Sequence, residues 1–287
     1  MRGSIVSVDT AQPEGIGIGL HGRRFTAAST VKGRFLLTFD DGPHANTTKV
    51  IQQLAGNPVQ VGVKAIFFVQ TRHPEGGGSA FGRSLLERQH REGHVLGLHS
   101  GTTRGHVRHT GMAASELDQS LQNGIEDIAH ITQQEPLLVR PPYWLFNAHT
   151  LARYGRHGLH MILSDVKAYD GVNWGMHVFR RWNFRSQLTT IRNRFLQDCL
   201  PVLSGTIPIV VAFHDTNAYT ANHLGDYLSL LVTEADRVGL PLDGNPFYDQ
   251  PSDIIQAALL RCTFLLHIAC RDLPRGTITD ADARRQT

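Results

Sequence analysis

Apolar residues along the chain fall into short runs separated by longer amphipathic stretches. Six runs read as buried strands: Arg34–Phe39, Ala65–Gln70, His94–Leu98, Leu137–Arg140, His160–Ser164 and Ile209–Phe213. Between them the spacing predicts helices near Thr47–Leu54, Phe81–Arg91, Ala114–Ile131, Ala148–Arg156 and Phe184–Leu200. In the last of these, Leu188, Ile191, Phe195 and Cys199 recur at helical steps, which predicts one buried stripe with Cys199 in it. Such alternation implies an α/β fold with a parallel sheet or a βα barrel, in which chemistry collects after the strand C-termini. Asp40, Asp41, His99, Arg140 and His214 all fall at or just beyond predicted strand ends.

The ends of the chain are less patterned. Residues 1–30 contain Gly and Ser and show weak periodicity, so they read as an N-terminal extension. Gly239–Asp253 is rich in Pro, Gly and Asp, Ile254–Cys270 is apolar enough for a terminal helix, and residues 271–287 are polar. Residues 31–240 therefore read as the principal domain and 241–287 as a C-terminal extension. The string Gly17-Ile18-Gly19-Leu20-His21-Gly22 matches a dinucleotide fingerprint, but its flanks show no helical period, and the string has meaning only between a strand and a helix.

Composition narrows the function classes. A net charge of +3 without a Lys/Arg run gives no basis for a nucleic-acid partner. Three cysteines without a CxxC pair argue against a disulfide framework or a cysteine zinc site. No basic start precedes an apolar h-region and no run is long enough to span a bilayer, so the expectation is a soluble chain, cytoplasmic on sequence alone, with no membrane partner. The 16 histidines are the outlier, and their placement decides what they mean.

The chemistry starts at Thr38-Phe39-Asp40-Asp41-Gly42-Pro43. Two carboxylates where a strand meets a turn resist burial unless a cation or an arginine compensates them; the plain alternative is a solvated Asp-Gly turn. His99-Ser100, Arg140-Pro141-Pro142-Tyr143, Asp170 and Phe213-His214-Asp215 follow in order. Singly, each has a structural explanation: a surface ion pair for Arg140, a core histidine for His214, a turn cap for Asp170. Together, over roughly Lys32 to Gly239, they resemble the polysaccharide deacetylase family, with its NodB homology domain, also called carbohydrate esterase family 4.

The resemblance implies a distorted (β/α) barrel and a metal-dependent hydrolase that removes N- or O-linked acetyl groups from a carbohydrate through a metal-activated water. It makes residues 31–240 the catalytic domain, with Asp41 as metal carboxylate and Asp40 as catalytic base. It pairs Arg140 with Asp40, makes His214 the acid for the leaving amine with Asp170 orienting it, and gives the backbone N–H of Tyr143 to the oxyanion. The divalent ion it implies is zinc first, with cobalt, nickel or manganese as alternatives. Family members are often exported.

Three positions depart from the family pattern. Metal histidines there follow His-Ser/Thr-x-x-His, and the step from His99 lands on Thr103. Counting back from Met112-Ala113-Ala114-Ser115-Glu116 places the second histidine on His106 after a loop three residues longer, with His109 as the alternative; loss of that ligand is the competing reading. The usual Asp-Trp pair is Asp170-Gly171, so the aromatic wall falls to Trp174 or Trp144, and Ala212 stands where Leu is common. Pro142, Tyr143, Trp144, Trp174 and Ala212 are thus the expected substrate contacts, around an acyl pocket that is widened or refilled by Trp174. Two rivals are a hydrolase of small non-peptide amides on the same fold and a degenerate deacetylase that binds glycans without cutting them.

Overall fold

The computed structural model describes residues 31–170, 176–197 and 199–272. Its strands are β1 (Lys32–Asp40), β2 (Ala65–Gln70), β3 (Val95–Ser100), β4 (Leu138–Val139), β5 (His160–Met161), β6 (Val166–Lys167), β7 (Thr206–His214) and β8 (Leu242–Phe247). The helices are α1 (Thr47–Ala55), α2 (Ala80–Arg91), α3 (Ala114–Thr132), α4 (Ala148–Arg156), α5 (Met176–Leu196), α6 (Ala218–Arg237) and α7 (Pro251–Asp272). All pairings between these strands are parallel, in the order β5-β4-β3-β2-β1-β7-β6, and β8 pairs with β1 at Gly33 and Phe35. No described pairing joins β5 to β6, so the wall is a barrel left open on one side.

The period-2 alternation of the strands sorts their side chains into two layers. Phe35, Leu37 and Phe39 of β1 face outward with Phe67, Val139, Val166, Val211 and Phe213. Stripes from the helices cover them: Val50, Ile51 and Leu54 of α1, Leu117 and Leu121 of α3, Phe184 and Leu188 of α5, Leu224 and Leu228 of α6. Each such side chain contributes about 1.5–3 kcal/mol when fully buried. The alternate residues face inward: Leu36, Ile66, Phe68, Leu138 and Val210 pack on Ile254, Ala257, Ala258 and Cys262 of α7. Higher on the same face the apolar filling stops, and the next inward positions are Thr38 and Asp40 on β1, Arg140 after β4 and His214 on β7. The site is therefore the polar upper end of an otherwise apolar barrel interior.

Several expectations change. Residues 242–247 join the sheet and Ile254, Ala257, Ala258 and Cys262 of α7 pack against its inner face, so the chain from 242 to 262 contributes to this core. The stretch 218–237, left unassigned from sequence, is α6, whose Asn217 side chain caps it by accepting from the Thr220 N–H. Helix α5 starts at Met176, eight residues before the predicted Phe184, and ends at Leu196. Cys199 lies beyond that end and is exposed: the helical stripe holds through Leu188, Ile191 and Phe195 but does not extend to it. The Gly17–Gly22 string lies outside the described residues, as does Trp174.

Candidate active site

The first carboxylate, Asp40, ends β1 on the inward face. Arg140 Nη1 donates to its Oδ1 at 2.8 Å and to Thr38 Oγ1 at 2.6 Å, and Thr38 in turn donates to the Val211 carbonyl at 2.9 Å. Arg140 also donates from Nε to the Ile162 carbonyl at 3.2 Å and lies over the Phe68 and Trp144 rings at 4.3 and 4.7 Å. A fully buried guanidinium with these partners fixes Asp40 in one orientation. Its Oδ2 is buried and has no partner.

The second carboxylate, Asp41, has φ 74°, a left-handed conformation that Asp tolerates better than most residues. The turn is held from β2, where Gln70 donates from Nε2 to the Asp41 carbonyl at 3.0 Å and from its backbone N–H to the Gly42 carbonyl at 2.8 Å. A Cβ at Gly42 would overlap the carboxylate of Asp215, so glycine is required there. Asp215 itself accepts from Thr47 Oγ1 at 2.5 Å, its other oxygen is unpartnered, and burial pushes its pKa up to about 7.

Two imidazoles converge on Asp41. His99 Nε2 is 3.1 Å and His106 Nε2 3.5 Å from Oδ1, and one ligand atom from each of the three residues lies within 4.8 Å of the others. His99 Nδ1 donates to the Arg140 carbonyl at 2.8 Å, so in the neutral ring Nε2 carries the lone pair. His106 Nε2 accepts from the Tyr143 N–H at 3.3 Å, which again makes it a lone-pair atom. Burial, with His99 beside it, lowers the His106 pKa to about 4 and keeps that ring neutral. Burial pushes the Asp41 carboxyl up, but His99, then His106 and His214, outweigh it and hold the group well below the carboxylate range. Asp41 Oδ1 is buried without a hydrogen-bond partner. An orphaned anionic oxygen facing two imidazole lone pairs is a donor set that fits a divalent cation.

The longer loop is what brings His106 there. Ser100 Oγ donates to the Gly105 carbonyl at 2.8 Å, Gly105 has φ +72°, and the ring that follows stacks on His99 at 5.0 Å and on Tyr143 at 4.2 Å. His109 is buried elsewhere, with Nδ1 2.7 Å from Tyr154 Oη, so it is no ligand to this group.

On the opposite side, His214 Nδ1 is 2.8 Å from Asp170 Oδ1 and its Nε2 is 3.9 Å from Asp41 Oδ2. Asp170 also accepts from the His214 N–H at 2.9 Å and from Thr220 Oγ1 at 2.6 Å, and its carbonyl from Asn217 Nδ2 at 2.5 Å. Burial opposes a charge on His214, but Asp170, aided by Asp41 and Asp40, outweighs it and raises the pKa to about 10.

The Pro142–Trp144 turn closes the rim. Tyr143 and Trp144 have φ 58° and 61°, a conformation costing a bulky residue about 1–3 kcal/mol. That strain aims the Tyr143 N–H at the imidazole cluster. Ala212 lies inward on β7, level with Thr38.

Residues 27–162 match the family described as Polysaccharide deacetylase. That stretch, just under half of the chain, is similar to a polysaccharide deacetylase domain. A chitin deacetylase from Pestalotiopsis is 33% identical over 144 residues, 50% of this chain and 45% of that protein. The chain thus spans about half the length of the curated relatives it matches. The chitin deacetylase structure from Colletotrichum lindemuthianum superposes with a TM-score of 0.57 at 20% identity, covering 78% of this chain and 92% of that one. A family 4 carbohydrate esterase from Streptomyces lividans, in complex with acetate, gives 0.54 at 24% over 71% and 91%. At these identities the two structures establish the deacetylase fold, a distorted α/β barrel. Asp215 stood in the Phe213-His214-Asp215 motif without a role, and sequence reasoning missed the Thr220/Asn217 support of Asp170, although the Asn217-x-x-Thr220 capping pattern carried a readable signal.

Proposed function

We propose that the chain is a metal-dependent hydrolase that removes acetyl groups, N- or O-linked, from a carbohydrate. The observation that carries this reading is the convergence of Asp41 Oδ1 with the Nε2 atoms of His99 and His106 beside the buried Asp40–Arg140 pair. Asp41, His99 and His106 would hold a divalent ion, with zinc the first choice for one carboxylate and two imidazoles. What a bound ion supplies there is Lewis acidity toward the acetyl carbonyl and acidification of water.

The remaining work falls to side chains of the domain. Asp40, held at Oδ1 by Arg140, has its free Oδ2 to take the proton of the attacking water. The Tyr143 N–H, which His106 Nε2 accepts in this structure, would be released once that nitrogen holds the ion and would then donate to the carbonyl oxygen as negative charge develops on it. His214, kept cationic by Asp170, gives its Nε2 proton to the departing nitrogen as the carbon–nitrogen bond breaks, releasing acetate and an amine. Pro142, Tyr143 and Trp144 form one wall for the sugar, and the small Ala212 leaves room for the acyl group.

The test is acetate release from N-acetylglucosamine oligomers before and after chelation, with divalent ions added back. Loss on chelation and recovery with zinc supports the reading; release unaffected by chelators contradicts its metal dependence, and no release from N- or O-acetylated glycans contradicts the activity.

A further inference from the structure

Resting on the deacetylase reading, we propose that Lys167 receives a carboxylate of the substrate, so that this site prefers an acidic N-acylated saccharide to a neutral one. Lys167 is the second residue of β6, level with Ala212 of β7. Its neighbours Val166 and Ala168 both lie in the outward-facing core, so alternation turns Lys167 inward, onto the face that carries Asp40, Arg140 and His214. There it is half-buried, with Nζ 4.6 Å from the centre of the Trp144 ring.

No described acceptor takes a hydrogen bond or ion pair from that ammonium. Asp40 is engaged by Arg140, and Asp170 by His214, Thr220 and its own loop. The nearby Arg140 is a like charge; burial, then Arg140, pushes the Lys167 pKa below its usual value. A ring face alone is a poor exchange for water around a cation. The fold nevertheless spends side-chain hydrogen bonds on holding this residue: Asn183 Nδ2 and Gln187 Nε2 donate to its carbonyl at 2.9 and 3.0 Å, and its N–H donates to Gln187 Oε1 at 2.8 Å. A rigidly placed, unpaired cation beside the acyl and sugar walls is complementary to an incoming anion. The carboxylate could belong to the sugar or to the acyl group.

Three amide substrates separate the cases: a neutral N-acetylglucosamine oligomer, an oligomer pairing N-acetylglucosamine with a carboxylated sugar, and an N-succinylglucosamine oligomer. The expected result is a kcat/KM about tenfold or more higher for one of the two acids than for the neutral oligomer. Which acid wins names the source of the carboxylate. Lys167→Met should bring that acid-to-neutral ratio close to unity, and Lys167→Arg should retain most of it. Turnover of the neutral oligomer equal to or above both acids overturns the proposal while leaving the deacetylase reading intact, and so does a ratio unchanged in folded Lys167→Met. Failure to turn over any amide or O-acetyl substrate overturns both.

Discussion

Arg140 and Asp40 meet at 2.8 Å, with side-chain exposures of 0% and 2%. Their charges cannot be separated without leaving one of them alone in the barrel interior. Removing one partner of such a pair costs about 3–5 kcal/mol. Arg140→Met should therefore lower unfolding free energy by about that much in denaturant melts, and Asp40→Asn, which keeps shape and an acceptor, by less. Both should lower kcat by about a hundredfold or more. A folded Arg140→Met enzyme within about 1 kcal/mol of wild type would contradict the burial of the pair.

His106 and His109 should part company under alanine substitution. His106→Ala removes one imidazole from the convergent set and should abolish stoichiometric zinc binding. His109→Ala should keep the zinc but lose about 1–3 kcal/mol of stability, because Tyr154 Oη loses its buried partner. Elemental analysis of the two variants beside thermal melts checks both halves.

The loop that carries His106 depends on Gly105, where a Cβ would meet the His73 ring at a backbone φ of +72°. Gly105→Ala should weaken zinc binding by about tenfold or more, although no ligand is altered. Competition with a chelator of known affinity measures it; unchanged affinity would mean that the loop does not position the ring.

Asp170 is the first charge that raises His214. Asp170→Asn should therefore release the His214 proton at lower pH and move the alkaline limb of kcat/KM downward, with the acid limb less affected. An alkaline limb that stays put would assign it to another group.

His94 offers a pH test away from the site. Burial, then Lys64 and Arg88, lowers its pKa from 6.5 to about 3, and its Nδ1 accepts the Ala65 N–H at 3.2 Å. Between those values the unfolded chain binds a proton that the folded chain refuses, so stability falls as pH drops through that window. The slope approaches about 1.4 kcal/mol per pH unit from this residue, and His94→Gln should flatten it in urea melts run at pH 4, 5 and 7.

The long strands were legible because β1, β2 and β7 are buried on both faces and read as continuous apolar runs. β6 was not, since Val166–Lys167 is too short to carry a period. β8 was hidden by Gly244, Asn245 and Pro246, which read as a loop although the segment pairs with the start of β1. α5 was truncated because its first turns expose Val178, Phe179 and Trp182 and show no buried stripe. α6 had a readable stripe at Leu224, Leu228 and Leu231 behind the Asn217 cap. Within the site, Asp40, Asp41, Arg140 and His214 stood out because charged residues at the ends of apolar runs need partners. Lys167 did not, because only the fold shows that it points inward and unpaired.

The central claim is a divalent ion held by Asp41, His99 and His106, and elemental analysis of the purified chain with its Asp41→Ala variant tests it most directly. The account predicts about one zinc per wild-type chain and almost none in the folded variant. A folded wild-type chain that takes up no divalent metal, or an Asp41→Ala chain that keeps it, would contradict it.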